Sequence, residues 1–144
     1  MKLYVLMMLH VDEQRWLDNY GCDQPVADDV VNYFTHEVIA GTRVVNQGLL
    51  RIADTFQSHA PGVAAEPWQG MSAVTVVAEV NVDRRKWAEE FALEDTPKVI
   101  ADDVVGHFEH WVLGACSPVT LGLLRVDRVA GMTRPGKHKA AKQG

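Results

Sequence analysis

The sequence predicts an α/β chain of the α+β kind. Two β-α-α-β units share one four-stranded antiparallel sheet, with helices on one face. Three observations predict it. Residues 26–51 align without a gap to residues 100–125, and 13 of those 26 positions are identical. Ahead of each repeated segment, apolar residues alternate with period two, as in a half-buried strand. Within each repeated segment, apolar residues fall at helical spacing. A repeat of this kind governs how the rest of the chain is read.

The first strand is expected at Leu3 to Val11 and its counterpart at Val74 to Val82. In the second, Val74, Val76, Ala78, Val80 and Val82 share one side, and Thr75, Val77, Glu79 and Asn81 the other. Asp12 and Asp83 follow at once. Each is placed to cap a short helix by accepting from its free amides, at about 13–20 and 84–92. Those helices carry Trp16 and Trp87, which are expected in equivalent buried positions. Turn signals follow, Gly21 to Pro25 in one unit and Glu94 to Pro97 in the other.

A longer helix comes next in each unit, near 25–40 and 98–114. The stripe Val26, Val30, Phe34 and Val38, with Val31, is repeated by Ile100, Val104, Phe108 and Val112, with Val105. Gly41 and Gly114 stand where a helix C-terminus favours glycine. Strands are expected to close the units at about 48–57 and 120–130. If each pair of helices acts as one broken crossover, the chain reads βαβ–βαβ, the pattern of a pseudo-twofold, ferredoxin-like sandwich. The expected organisation is a single domain over 1–132. It comprises repeats 3–57 and 72–130, a Pro- and Gly-bearing loop 58–71, and a basic, disordered tail 133–144.

Charge separates along the chain. Residues 1–132 hold 10 Lys and Arg and all 19 Asp and Glu, whereas the tail holds Arg134, Lys137, Lys139 and Lys142 and no acid. An acidic body argues against a broad nucleic-acid footprint, because that binding needs basic surface to neutralise phosphates. Cys22 and Cys116 are not counterparts and lack metal spacing, so reduced thiols in a cytoplasmic chain are expected. The apolar N-terminal run is read as a strand, because the chain repeats it internally. No stretch approaches a membrane span.

Four groups are candidates for chemistry. Asp103, His107 and His110 stand at i, i+4 and i+7 of the second long helix, a spacing that can bring metal ligands together. The other unit has Asp29, Tyr33 and His36, without the middle ligand, so a solvated helix face is the expected role. The repeated pair His36 and His110 points away from the core stripe. The pairs Asp28-Asp29 and Asp102-Asp103 lie where a helix dipole favours acids. The chain has no P-loop, GxGxxG or GxSxG motif and no positioned nucleophile. It is therefore expected to be no enzyme and to need no cofactor.

The fourth candidate is the outer face of the sheet. Tyr4, Leu6, Met8 and His10, with Val77, are expected there, joined by Leu49, Arg51, Leu123 and Arg125. Apolar residues on an open sheet face mark a partner surface, and Met suits adaptable contacts. The first strand has Leu6, Met8 and His10 where the second has Val77, Glu79 and Asn81. A protein partner or self-association through Tyr4, Leu6, Met8, His10, Arg51, Val77 and Arg125 is the leading expectation. A nucleic-acid regulator using Arg51, Arg125 and the tail is the second. A metal-dependent enzyme at Asp103, His107 and His110 is the third.

In both units a strand ends in Val-Asp, a Trp follows, and an Asp-Val-rich helix comes after. Here those are Val82-Asp83, Trp87 and Asp103-Val104, and again Val11-Asp12, Trp16 and Asp29-Val30. This pattern resembles a class of small, uncharacterised accessory proteins encoded by phages of actinobacteria. The resemblance spans both units but not the loop or tail. It implies no particular activity. It does imply a binding module, directed at a host or phage macromolecule.

Overall fold

The computed structural model describes residues 1–59, 70–114 and 116–133. Most of the expected linking loop, the tail from 134 onward and the Val112 side chain lie outside the described residues. The elements run β1 (Lys2–Val11), α1 (Glu13–Tyr20), α2 (Val26–Tyr33), a π-helical segment π1 (Phe34–Ile39), α3 (Arg43–Asn46), β2 (Leu50–Gln57), β3 (Ser72–Val82), α4 (Arg84–Phe91), α5 (Pro97–His107), a second π segment π2 (Phe108–Leu113), α6 (Ser117–Thr120) and β4 (Leu124–Met132). The four strands make one sheet in the order β2-β3-β1-β4, with all neighbours antiparallel. The fold is therefore mixed α+β, and its strand order is compatible with the ferredoxin-like arrangement expected.

Strand alternation sorts the side chains. Leu3, Val5, Met7, Leu9 and Val11 join Val74, Val76, Ala78, Val80 and Val82 in the main core, together with the apolar stripes of the helices. Tyr4, Leu6, Val77 and Phe56 form a second, smaller cluster on the other face, with Met8 packed against it. No described helix contributes to that second cluster.

The caps explain where the helices begin. Asp12 Oδ1 accepts from the Arg15 amide at 3.1 Å, and Asp83 Oδ1 from the Lys86 amide at 3.1 Å. Each bond satisfies an amide that a helix start leaves without an intrahelical acceptor. Thr96, with Pro97 behind it, opens α5 in the same way, accepting from the Val99 amide at 3.4 Å.

The long helices depart from the uniform α-helix that their periodicity predicts. Each turns π-helical over its last six residues. In an α-helix, a five-residue step rotates a side chain by about 140° relative to its start. The wider π turn brings residues five apart back onto one face. Phe34 with Ile39, and Phe108 with Leu113, thereby reach the core together, all fully buried. Val38, expected in the core stripe, is only half-buried because Ile39 takes its place.

The short helices α3 and α6 were not expected. Each ends in a Schellman motif: Leu49 N–H donates to Val44 C=O and Leu123 N–H to Pro118 C=O, both at 2.9 Å. Gly48 and Gly122 supply the left-handed residue, at φ 75° and 77°. Gly41 and Gly114 do not serve as left-handed caps. Leu49 and Leu123 precede the strands and pack into the main core, not onto the outer face where alternation had put them. Both edge strands carry a register shift, between Ile52 and Asp54 and opposite Met8 and Leu9. Such bulges make an edge a poorer template for stray pairing.

Candidate functional site

Each unit builds an aromatic cluster around its tryptophan. Trp16 and Trp87 are fully buried. An indole N–H taken out of water needs an acceptor. Trp16 Nε1 donates to Asp29 Oδ2 at 2.7 Å, and Trp87 Nε1 donates to Asp103 Oδ2 at 2.8 Å. The second Asp of each Asp-Asp pair is thus an indole acceptor, a role beyond the helix dipole. The sequence carried a signal for it, since Trp and Asp recur together in both units.

The rings complete these clusters differently. In the first, Tyr33 meets Trp16 edge-on at 5.5 Å, and Tyr20 lies 4.6 Å from Trp16 and 5.1 Å from Tyr33. Burial, followed by a hydrogen bond with Tyr33, pushes the Tyr20 hydroxyl pKa up to about 12. In the second, His107 stands in Tyr33's place, edge-on to Trp87 at 5.6 Å, and Phe91 stands in Tyr20's place. Burial holds the His107 pKa below the usual imidazole value, with Asp103 opposing the shift. His107 therefore works as a neutral ring in a packed cluster.

The three residues of the metal candidate have separate surroundings. Asp103 serves Trp87, His107 packs on Trp87 and Phe91, and His110 lies exposed beyond the switch into π2. Among the described residues no three His, Cys, Asp or Glu side chains are grouped to hold a metal ion. His36 is also exposed. Both cysteines are free thiols, and burial raises the pKa of each.

The outer sheet face is closed at its centre. Tyr4, Leu6, His10 and Val77 are buried, and Met8 is half-buried. Tyr4 pairs across the strands with Glu79, and burial with a hydrogen bond to Glu79 raises the Tyr4 pKa. The open part of this face is its β4 side. There Met132 sits opposite Tyr4 and remains 36% exposed, and Arg128 and Arg125, opposite Met8 and His10, are exposed. Arg51 is exposed too, but on β2, in the row of Asn81 and Lys2. It lies about 14 Å from Arg125 across the sheet and about 26 Å along the strands. The structure therefore does not gather Arg51 and Arg125 into one basic patch. Arg125 and His110 do line one shallow groove, of about 420 Å³, between π2 and β4.

A second concavity was not foreseen. A cleft of about 560 Å³ opens where α3 meets the end of α4 and the last turn of α5. Arg43, Val44 and Gln47 line one side, and Glu90, Phe91 and His107 the other. Phe91 keeps 39% of its surface exposed there. The matching place in the first unit is bridged by side chains. Tyr20 packs against Tyr33, and Arg15 reaches across to the carbonyls of Leu121 at 3.0 Å and Gly122 at 3.3 Å. No helix among the described residues is long and apolar enough to cross a membrane. No protein family, curated protein or solved structure matches the chain.

Proposed function

We propose that the chain is a non-enzymatic interaction protein that holds a protein partner, or a second copy of itself, on the β4 side of its outer sheet face. One observation carries the reading. Met132 lies on the edge strand β4 and half-buried Met8 on the neighbouring strand β1, beside the exposed Arg125 and Arg128. Apolar surface beside charge on an open part of a sheet face suits association, and Met adapts to the shape it meets. The side chains that suggested chemistry are engaged elsewhere: Asp29 and Asp103 by the indoles, His107 by the aromatic cluster. The resemblance to accessory proteins of actinobacterial phages favours the same kind of work, in the cytoplasm of a bacterial host.

We read the two units as products of one duplication, related by a pseudo-twofold. The matching Trp–Asp bonds, Asp caps, π segments and Schellman glycines support that reading.

The test is a pair of substitutions. Met132→Glu and Met8→Glu should each weaken self-association in sedimentation, or retention of a co-purified partner, by at least about tenfold, since each removes an apolar contact and buries a charge. Met132→Glu should leave the melting temperature near wild type. If sedimentation and co-purification are unchanged in Met132→Glu, the surface is misassigned.

A further inference from the structure

We propose that the cleft between α3, α4 and α5 binds a free α-amino acid with a large apolar side chain. The inference does not rest on the sheet-face reading, since the two sites share no residue.

Val44 is buried, while Phe91, a large aromatic, is left 39% exposed at the cleft. His107 stands 6.3 Å from Phe91 and is backed by Trp87. An apolar group seated here would cover the Phe91 ring and gain the free energy of removing both surfaces from water. The volume, about 560 Å³, lies in the range of small-ligand sites.

The rim decides the ligand's charge. Arg43 and Glu90 both line the cleft. Arg84 pairs with Asp95, Arg85 with Glu89 and Lys98 with Asp102, whereas among the described residues no ion pair joins Arg43 to Glu90. A plain anion would meet Arg43 but be repelled by Glu90 and by the acidic body. A plain cation would meet Glu90 but be repelled by Arg43. A zwitterion satisfies both: its carboxylate faces the guanidinium and its ammonium faces the Glu90 carboxylate. It carries no net charge into the field of the body. His107, held neutral by burial, adds no third charge.

The other unit supplies a control within the same chain. The repeat sets Ser117 against Arg43, Asn19 against Glu90 and Tyr20 against Phe91. Where Arg15 bridges the corresponding place, neither counterpart is charged; at the cleft, both are.

The experiment titrates L-phenylalanine into the full chain and follows the ring signals of His107 and Phe91 by NMR, with calorimetry for stoichiometry. One saturable site is expected. Phenethylamine, which lacks the carboxylate, and 3-phenylpropanoate, which lacks the ammonium, should each bind at least about tenfold more weakly. Arg43→Gln should weaken phenylalanine without weakening phenethylamine. Glu90→Gln should weaken phenylalanine without weakening 3-phenylpropanoate. Phe91→Ala should weaken all three. Arg43 and Glu90 are exposed, so their variants should melt near wild type. The proposal is overturned if phenylalanine, leucine and tryptophan all fail to saturate the His107 signals at millimolar concentration. It is equally overturned if either singly charged analogue binds as tightly as phenylalanine.

Discussion

Trp87 Nε1 donates to Asp103 Oδ2 at 2.8 Å, and that bond turns a candidate metal ligand into a structural acceptor. Trp87 is fully buried, so removing the acceptor leaves its N–H to bear the desolvation cost. Asp103→Ala should therefore lower the unfolding free energy by about 1–3 kcal/mol in denaturant titration. Asp103→Asn, which keeps an oxygen acceptor, should cost less. Asp29→Ala should behave as Asp103→Ala does, through Trp16. Equal stability of Asp103→Ala and wild type would show that the bond contributes nothing.

His107 makes stability depend on pH. Burial lowers its folded pKa below the ordinary value of 6.5, so the unfolded chain binds the proton more tightly. The stabilisation from keeping the ring neutral is complete above the unfolded pKa. It is lost as pH falls from about 6.5 through the lower folded value. Stability measured from pH 7.5 to 5 should decline on the acid side, and His107→Tyr, which copies the Tyr33 arrangement, should flatten that part of the decline. An unchanged slope in His107→Tyr would assign the pH dependence to another group.

How much of this was legible in the sequence follows from the range of each interaction. The two faces of β1 and β3 were readable because alternation is a local, period-two property. The Asp12 and Asp83 caps were readable because a cap acts within three residues. The π segments were not, because a helical stripe is read at α-helical spacing, and only the burial of Ile39 and Leu113 reveals the wider turn. The Asp29 and Asp103 acceptors were half-legible: the repeat flagged them, but their partners lie 13 and 16 residues away on another helix. The cleft was illegible. Its lining comes from α3, α4 and α5, which are distant in the sequence, and Arg15 crosses to the α6 end in one unit while its counterpart Lys86 makes no such bond among the described residues of the other.

The closed centre of the outer face separates residues that alternation alone treats alike. Leu6 is 3% exposed and Met132 is 36% exposed, although both lie on that face. Leu6→Ala should destabilise the chain by about 2–5 kcal/mol, the cost of emptying a core position. Met132→Ala should change stability by less than about 1 kcal/mol. Thermal melts of the two variants would check this, and similar losses for both would mean that Met132 is as deeply packed as Leu6.

The residue after each short helix gives the cleanest exchange. Gly21 follows α1 and Ala92 follows α4, and both sit in the left-handed region at φ 53°. Glycine bears that conformation without penalty, whereas an L-residue loses about 1–2 kcal/mol to contact between its Cβ and the neighbouring carbonyl. Part of that advantage is offset, because glycine also gives the unfolded chain more freedom. Ala92→Gly should therefore stabilise the chain modestly, by up to about 1 kcal/mol, and Gly21→Ala should destabilise it by about as much or slightly more. Gly21 leaves room for a methyl group, since the nearest atom to a Cβ at that position would be the Leu17 carbonyl oxygen at 3.9 Å, so backbone strain rather than a clash sets the cost. Chemical denaturation of both variants and of the double exchange is the measurement. Opposite signs, nearly cancelling in the double variant, are expected for two sites that share one backbone conformation. A destabilised Ala92→Gly would mean that the Ala92 methyl makes a contact worth more than the strain it bears.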